Sequence, residues 1–245
     1  MNYLSLFFLP HTQIIACDQT IYHQVAQLHD SIFLKIQNHV QLKLYLLDTF
    51  ELSEKKIIKY HILLKKEAQL NFFMGVVDAH DVQIEIYLYL HGDSSSADIF
   101  GVYALDQQQK FLIKTYQNHY GIGTKSNLVL HGMLKDQAQA DVQGLIFIDK
   151  QACKTEASQE NKNIVMGSLA RVVSEPSIEV LNHDVECSHG TAIGQFNQQH
   201  RWYLQSRGFD VTSANQMLIQ SFFGSVVQKF EKGSEFMEIL CKKMI

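Results

Sequence analysis

The residues best suited to metal chemistry lie between His183 and Gly208, in a stretch that begins H-D-V-E-C-S-H-G. In an extended chain alternate side chains share a face, so His183, Cys187 and His189 are expected to project together. A thiolate and an imidazole are ligands for zinc, copper and iron–sulfur iron, which usually take four ligands. Because this segment offers two or three, a complete site needs ligands from elsewhere in the fold or from another chain.

The same residues also have a purely structural interpretation. Cys187 is then a small buried hydrophobe and His189 a hydrogen-bonded histidine, because one C-x-H is a much weaker signal than paired C-x-x-C elements. Gly190 and Gly194 follow closely and are predicted to break the strand. Spacing alone leaves both interpretations open.

Composition excludes several classes of protein. The chain has 245 residues, of which 46% are hydrophobic and 19% charged, as expected of a soluble globular protein. A formal net charge of -4 without a basic run argues against nucleic acid or an anionic membrane as partner. No apolar stretch is long enough to span a bilayer. The four cysteines are irregularly spaced and the apolar run from Leu4 to Pro10 lacks a basic flank, so a cytoplasmic location is expected.

Strands are predicted between Val40 and Leu181, because apolar residues alternate with polar ones in several segments of this region. The predicted strands are Val40 to Leu46, Leu70 to Met74, Val82 to Leu90, Phe111 to Ile113, Leu128 to Leu130, Leu145 to Ile148 and Ile178 to Leu181. No helical pattern interrupts them between Val40 and Gly190, so the body is predicted to be all-β. Faint internal similarity suggests a β-solenoid, but a sandwich or barrel would leave nearly the same trace.

Helices are predicted at both ends. Near the N-terminus, Ile21, Val25, Leu28 and Ile32 recur at helical spacing. Near the C-terminus, one helix is expected between an Asn197 cap and Gly208.

A second C-terminal helix is expected from Thr212 or Ser213, where Ser213 and Gln216 have the spacing of a capping box. Its two apolar stripes, which contain Phe222 and Phe223, are too wide for burial on one side. Either a partner covers one stripe, or the helix is sunk into a local core. A short amphipathic piece is predicted from Gly233 to Ile245.

Several linked motifs resemble one known family. They are the K-T-E-A-S-Q-E-N-K-N run at Lys154–Asn163, E-P-x-I-E-V at Glu175–Val180, D-V-x-C-S-H-G at Asp184–Gly190, Gly194-Gln195, and Y-L-x-S-R-G at Tyr203–Gly208. In this order and spacing the chain resembles the SufB/SufD components of iron–sulfur cluster assembly scaffolds, and its C-S-H-G form is most similar to the SufD branch. The similarity runs from about Leu130 to Phe230 and is weak before residue 110.

The resemblance implies a fold and a domain organisation. It implies a mainly β protein, a right-handed parallel β-helix (β-solenoid) followed by a small α-helical C-terminal segment. On this basis we divide the chain into a short N-terminal helical segment (1–38), a β-helix core (39–193) and a C-terminal helical segment that binds partners (194–245).

The resemblance also implies a role as a non-catalytic scaffold subunit. SufD-like proteins pair with a SufB-like subunit and bind a SufC-like ATPase through their C-terminal helices. Carried over, His189 is the expected ligand of a transient iron–sulfur cluster shared with the SufB-like partner, and Cys187 is its neighbour. The expected partner-binding residues on the C-terminal helices are Trp202, Tyr203, Arg207, Leu218, Phe222 and Phe223. The sequence leaves open whether the chain forms a homodimer when its partner is absent.

Two other functions compete with this one. A β-helix enzyme acting on polysaccharide would need carboxylates along a groove, and Asp136, Asp141 and Glu156 are available. A degenerate relative would keep the fold and bind partners without touching metal. In that case His189 and Cys187 would be dispensable for cluster assembly.

Overall fold

A parallel β-solenoid forms the body of the protein. The computed structural model describes residues 12–24, 31–48, 55–77 and 80–245. Its strands are β1 Gln13–Ile15, β2 Gln19–Gln24, β3 Ser31–Ile36, β4 Gln41–Asp48, β5 Lys56–Leu64, β6 Gln69–Val76, β7 Asp81–Leu90, β8 Ser96–Leu105, β9 Lys110–His119, β10 Lys125–Leu134, β11 Gln139–Ile148, β12 Thr155–Val165, β13 Arg171–Val180 and β14 Val185–Gly194. The helices are α1 Gln198–Ser206, α2 Val211–Val227 and α3 Gly233–Met244.

The strands form two seven-stranded parallel sheets. Sheet A has the odd-numbered strands in the order β1-β3-β5-β7-β9-β11-β13, and sheet B has the even-numbered strands from β2 to β14. Successive strands therefore alternate between the sheets, which is the arrangement of a solenoid. The predicted mainly β fold with a solenoid core is confirmed.

The core lies between the two sheets and is built from rows of side chains in register. Leu44, Phe72, Ile99 and Leu128 form one such row across β4, β6, β8 and β10, and all four are at most 1% exposed. Each strand contributes every second residue to this interior, because successive side chains of a strand point to opposite faces. This explains how the period-two pattern identified seven of the fourteen described strands.

Most turns from sheet A to sheet B contain one residue with left-handed backbone. These residues are His39, Glu67, Ser94, Gly123 and Lys154, with φ between 55° and 64°. Four of the five are not glycine, although this conformation strongly favours glycine. Each of these residues lies where the chain turns from sheet A to sheet B. The geometry of the turn, and not the intrinsic preference of the residue, therefore determines its left-handed backbone.

Helices α2 and α3 pack on the outer face of sheet B. Phe223 and Val227 of α2 share an apolar cluster with the outward-facing Tyr45, Phe73 and Met133 of the sheet. His131 of β10 joins the layers, because its Nδ1 lies 2.8 Å from the Phe222 carbonyl oxygen. Among the described residues, none of the helices has both the length and the apolar character needed to cross a membrane.

The predicted N-terminal helix is wrong where the structure describes it. Gln19–Gln24 and Ser31–Ile36 are strands, and residues 25–30 lie outside the described part of the chain. Both strands pair with neighbours in the solenoid, so sheet pairing overrides the helical spacing of the four apolar residues. The domain boundaries at residues 38 and 193 stay a prediction.

The C-terminal helices largely match the prediction. The side chain of Asn197 caps α1 by accepting a hydrogen bond from the Gln199 N–H (2.9 Å), and Gly208 follows α1 with φ +94°. The predicted capping box of α2 is wrong, because the helix begins at Val211 and Asp210 accepts the Ser213 N–H instead. An Asp at this place satisfies one of the free N–H groups of the first turn.

Candidate functional site

Cys187 and His189 lie on the last strand of sheet B. Cys187 pairs in register with Ala157 and His189 with Gln159, and these two partners are 5% and 4% exposed. Cys187 and His189 therefore lie on the inward face of sheet B, in two neighbouring rows. Among the described strands, β14 is the last member of each row. As a result Cys187 is only half-buried and His189 is exposed.

Two predictions about this strand need correction. β14 continues through Gly190 to Gly194, so neither glycine breaks it. A glycine in a regular strand needs no special backbone angle, and parallel pairing with β12 continues through both positions. His183 lies in the bend before β14, and it does not belong to the rows of Cys187 and His189.

The thiol of Cys187 has an apolar environment. Its neighbours include the buried Ile146, Ile148 and Ala157, and burial raises its pKa. A thiol that resists ionisation is a poor nucleophile, and it becomes a metal ligand only when the metal displaces its proton. Of the two side chains, the exposed imidazole of His189 is therefore the more accessible ligand.

Polar side chains behind these rows connect the last strands. The side-chain amide of Asn161 donates a hydrogen bond to Ser174 Oγ (2.8 Å), and the Thr191 hydroxyl donates to the same oxygen (2.9 Å). These bonds join β12, β13 and β14 through their inward faces. The sequence predicted no role for Asn161 or Thr191; the signal was the Q-E-N-K-N segment, which places an amide at every second position from Gln159 to Asn163.

Among the described residues, no further strand covers the last strand of either sheet. β13 and β14 are the terminal strands of sheets A and B, and no strand within the described ranges pairs with their outer edges. Apolar side chains near this end are exposed, including Leu181 (53%) and Ile193 (50%). Open strand edges beside exposed apolar side chains are the usual features of a surface that another chain covers.

Helix α1 follows β14 directly and contributes no buried residue. Trp202 and Tyr203 are 62% and 58% exposed, and the Arg207 guanidinium carbon lies 5.1 Å from the centroid of the Tyr203 ring. Exposed Trp, Tyr and Arg are the residue types enriched at the centres of protein interfaces. This helix is the part of the C-terminal segment most available to a partner.

The other three residues expected to bind a partner lie on α2 and are less accessible. Phe223 is fully buried, whereas Leu218 and Phe222 are half-buried. The Phe222 ring stacks on His131 of sheet B, with centroids 4.9 Å apart. Two explanations were open for the wide apolar surface of α2: a partner covers one stripe, or the helix packs into a local core. The positions of Phe222 and Phe223 fit the second explanation.

Within the described part of the chain, no three His, Cys, Asp or Glu side chains come together in a way that could hold a metal ion. Cys187 and His189 are thus a pair of ligand-type side chains. The acids proposed for a polysaccharide enzyme do not converge either. Asp136 accepts the Gln107 N–H in a turn, and Glu156 pairs with Lys125 on the outer face of sheet B (2.7 Å).

Comparison with known proteins identifies the family. Residues 11–222 match the family model described as "SUF system FeS cluster assembly, SufBD core domain". The chain belongs to the SufBD core family. The resemblance seen in the motifs is confirmed, and the family match extends it into the N-terminal half, where the motifs were weak.

Curated relatives of the SufBD family share modest identity with the chain. SufD of Escherichia coli is 29% identical over 154 residues, which are 63% of this chain and 36% of that protein. SufD of Bacillus subtilis is 25% identical over 164 residues, or 67% of this chain and 38% of that protein. A SufBD family protein of Mycobacterium leprae is 26% identical over 178 residues, or 69% and 45%. The chain therefore spans less than half the length of each of these relatives.

Proposed function

We propose that this chain is a SufD-like, non-catalytic scaffold subunit in the assembly of iron–sulfur clusters. A SufB-like subunit covers the open end of the solenoid, a SufC-like ATPase docks on the C-terminal helices, and a nascent cluster is held between the two scaffold subunits. The cluster is cargo that the complex must release. The observation that carries the proposal is the position of Cys187 and His189 in uncovered rows at the open end of a SufBD fold.

An incomplete ligand set fits such a role. His189 and Cys187 offer two of the four ligands that iron–sulfur iron takes, and a second subunit at the open edge of β14 would supply the others. A site divided between two chains is easily opened when they move apart. Release of the cargo then requires only a change at the interface, which the ATPase partner could drive.

Docking of the ATPase on α1 has a separate support. The helix has exposed aromatic residues, and it follows β14 after three residues. A partner that moves α1 therefore acts on the strand that carries His189. This proximity would couple ATP hydrolysis in the partner to the cluster site without any catalytic group in this chain.

The test is co-expression of the full chain with the SufB-like and SufC-like proteins of its host. Size-exclusion chromatography reports the complex, and iron and sulfide are measured after anaerobic reconstitution. His189→Ala should leave the complex intact and remove most of the iron. His183→Ala is the matched control, because this exposed histidine lies in the bend before the same strand, and it should keep the wild-type iron content.

The remaining outcomes separate the alternatives. Cys187→Ala should lower the iron content if the thiol is a ligand, whereas Cys153→Ala, in the turn before β12, should not. If the complex forms and neither His189→Ala nor Cys187→Ala changes its iron content, the chain is a degenerate relative that binds partners only. If no complex forms, the family membership reports ancestry and fold, and the proposed function is wrong.

A further inference from the structure

A cavity of about 280 Å³ lies where sheet B meets the junction between α2 and α3. Its aromatic walls are Tyr22 and Tyr45 from the sheet and Phe230 and Phe236 from the helical segment. Sites for small molecules usually measure ~300–1,000 Å³, so this cavity suits a group the size of a side chain rather than a nucleotide. It lies beside β2 and β4, at the opposite end of sheet B from β14.

The aromatic rings form two stacked pairs. Tyr22 and Tyr45 have ring centroids 4.9 Å apart and an interplanar angle of 14°, and Phe230 and Phe236 have values of 5.7 Å and 29°. Aromatic faces attract cations through the ring quadrupole, and the attraction grows when the site excludes water. Tyr45 is covered on both faces, by Tyr22 and by Phe73 at a centroid distance of 4.7 Å, and Phe236 is almost fully buried. The ring that a ligand can reach is therefore Tyr22, which is 55% exposed.

The charged groups of the cavity are mainly acidic. Glu231 and Glu235 line it, and the Tyr22 hydroxyl donates a hydrogen bond of 2.5 Å to Glu231 Oε2. This bond raises the pKa of Tyr22 to about 12, so the phenol stays neutral. Burial lowers the pKa of His23, so its ring is neutral at pH 7. Among the lining residues that the structure describes, two carboxylates and the ammonium of Lys232 leave a net charge of -1.

We propose that this cavity binds a guanidinium group, as carried by an arginine side chain or by a small arginine derivative. A guanidinium is flat and weakly hydrated, so it can stack on the face of Tyr22 that is turned away from Tyr45. Its fork of N–H donors matches a carboxylate such as that of Glu231 or Glu235. The cavity is separate from the proposed cluster site and from α1, because none of its lining residues belongs to β14 or α1.

Calorimetric titration of the full chain at low salt tests the proposal. The probe is the blocked tripeptide acetyl-Gly-Arg-Gly-amide, and the control is the same peptide with citrulline, which is neutral and nearly isosteric. Saturable one-to-one binding of the arginine peptide is expected, about tenfold tighter than that of the citrulline peptide. Agmatine is titrated in parallel: tighter binding of the peptide identifies a protein as the source of the group, and tighter binding of agmatine identifies a small amine.

Variants locate the site. Glu231→Gln and Glu235→Gln should each weaken binding about tenfold, and Lys232→Gln should strengthen it, because it removes a like charge. Glu238→Gln is the matched control, since this exposed acid of α3 is outside the cavity. Glu235→Gln keeps the contact between Tyr22 and Glu231, so the test survives if Glu231→Gln fails to fold. Equal binding of the arginine and citrulline peptides, or equal weakening by Glu238→Gln, would overturn the proposal.

Discussion

Asp106 and Lys243 form an ion pair that ties the end of β8 to the last turn of α3. The Lys243 Nζ lies 2.6 Å from Asp106 Oδ1, and both side chains are 12% exposed. Both charges are largely removed from water, so each is stabilised mainly by the other. Loss of one member therefore leaves the other as a poorly solvated, unpaired charge. The contact joins residues that are far apart in sequence, and it holds α3 against the solenoid.

Lys243→Met should therefore lower the free energy of unfolding by about 1–3 kcal/mol, as measured by urea denaturation. Lys242→Met is the control, because Lys242 is exposed and its loss should change stability by less than about 0.5 kcal/mol. The double variant Asp106→Asn/Lys243→Met should cost less than the sum of the single changes. Additive costs would show that the two residues act independently.

Gly75→Ala should loosen α3 by a different route. A Cβ at Gly75 would lie 2.3 Å from Cζ of Phe236, so the aromatic ring of α3 could not keep its place on sheet B. We expect a loss of about 1–3 kcal/mol in urea denaturation, as is usual for overpacking. Gly224→Ala in α2 is the opposite control. Apart from the backbone of its own helix and its chain neighbours, no described atom lies within 4 Å of a Cβ at this position, and helix propensity should add about 0.5–1 kcal/mol. If both variants are stabilised, α3 does not pack on Gly75.

The sequence predicted strands whose apolar and polar residues alternate clearly, and it missed strands with a polar interior as well as β5, whose interior is apolar but whose adjacent Ile57-Ile58 and Leu63-Leu64 interrupt the alternation. The alternation from Val82 to Leu90 identified β7 directly. β12 was missed, because its inward positions include Gln159, Asn161 and Asn163, which are polar yet at most 4% exposed. An inward amide is stable only when hydrogen bonds or packing across the interior support it, and such contacts are not visible in the strand itself.

The candidate site shows the same limit. The motifs located Cys187 and His189. Their exposure, however, depends on whether another strand pairs with β14, and the motifs do not contain that information. Likewise, the sequence did not separate Phe222 and Phe223 of α2 from Trp202 of α1 as expected contacts for a partner. The structure distinguishes α1, which is exposed, from α2, which is packed on sheet B. Tertiary packing decides this difference, and local spacing does not.

His119 should make stability depend on pH. Its ring nitrogens lie 2.8 Å from Thr124 Oγ1 and from Ser126 Oγ, and burial lowers its pKa to about 4. The unfolded chain, with a histidine pKa near 6.5, takes up a proton before the native protein does. The stabilisation is therefore complete above pH 6.5 and is lost as pH falls towards 4, with a slope of at most about 1.4 kcal/mol per pH unit.

Urea denaturation at several pH values between 7 and 4 measures this slope. His119→Gln should flatten it, whereas His200→Gln, which changes an exposed histidine of α1, should keep the wild-type slope. Burial also lowers the pKa of the half-buried His23 and His61, which therefore contribute to the absolute slope, so the difference between variant and wild type is the decisive quantity. Identical slopes for the wild type and His119→Gln would show that His119 is not linked to folding.

Trp202 and Phe223 should respond to mutation in opposite ways. Trp202→Ala should change the free energy of unfolding by less than about 0.5 kcal/mol, because most of the side chain is already in water. Phe223→Ala should cost about 3–5 kcal/mol, because it leaves a cavity between α2 and sheet B.

If α1 is the docking helix, Trp202→Ala should also weaken binding of the SufC-like ATPase by about tenfold or more in a pull-down titration. Gln199→Ala, an exposed change on the same helix, is the control and should bind as the wild type does. Normal binding of the ATPase by Trp202→Ala would show that α1 is not the docking surface.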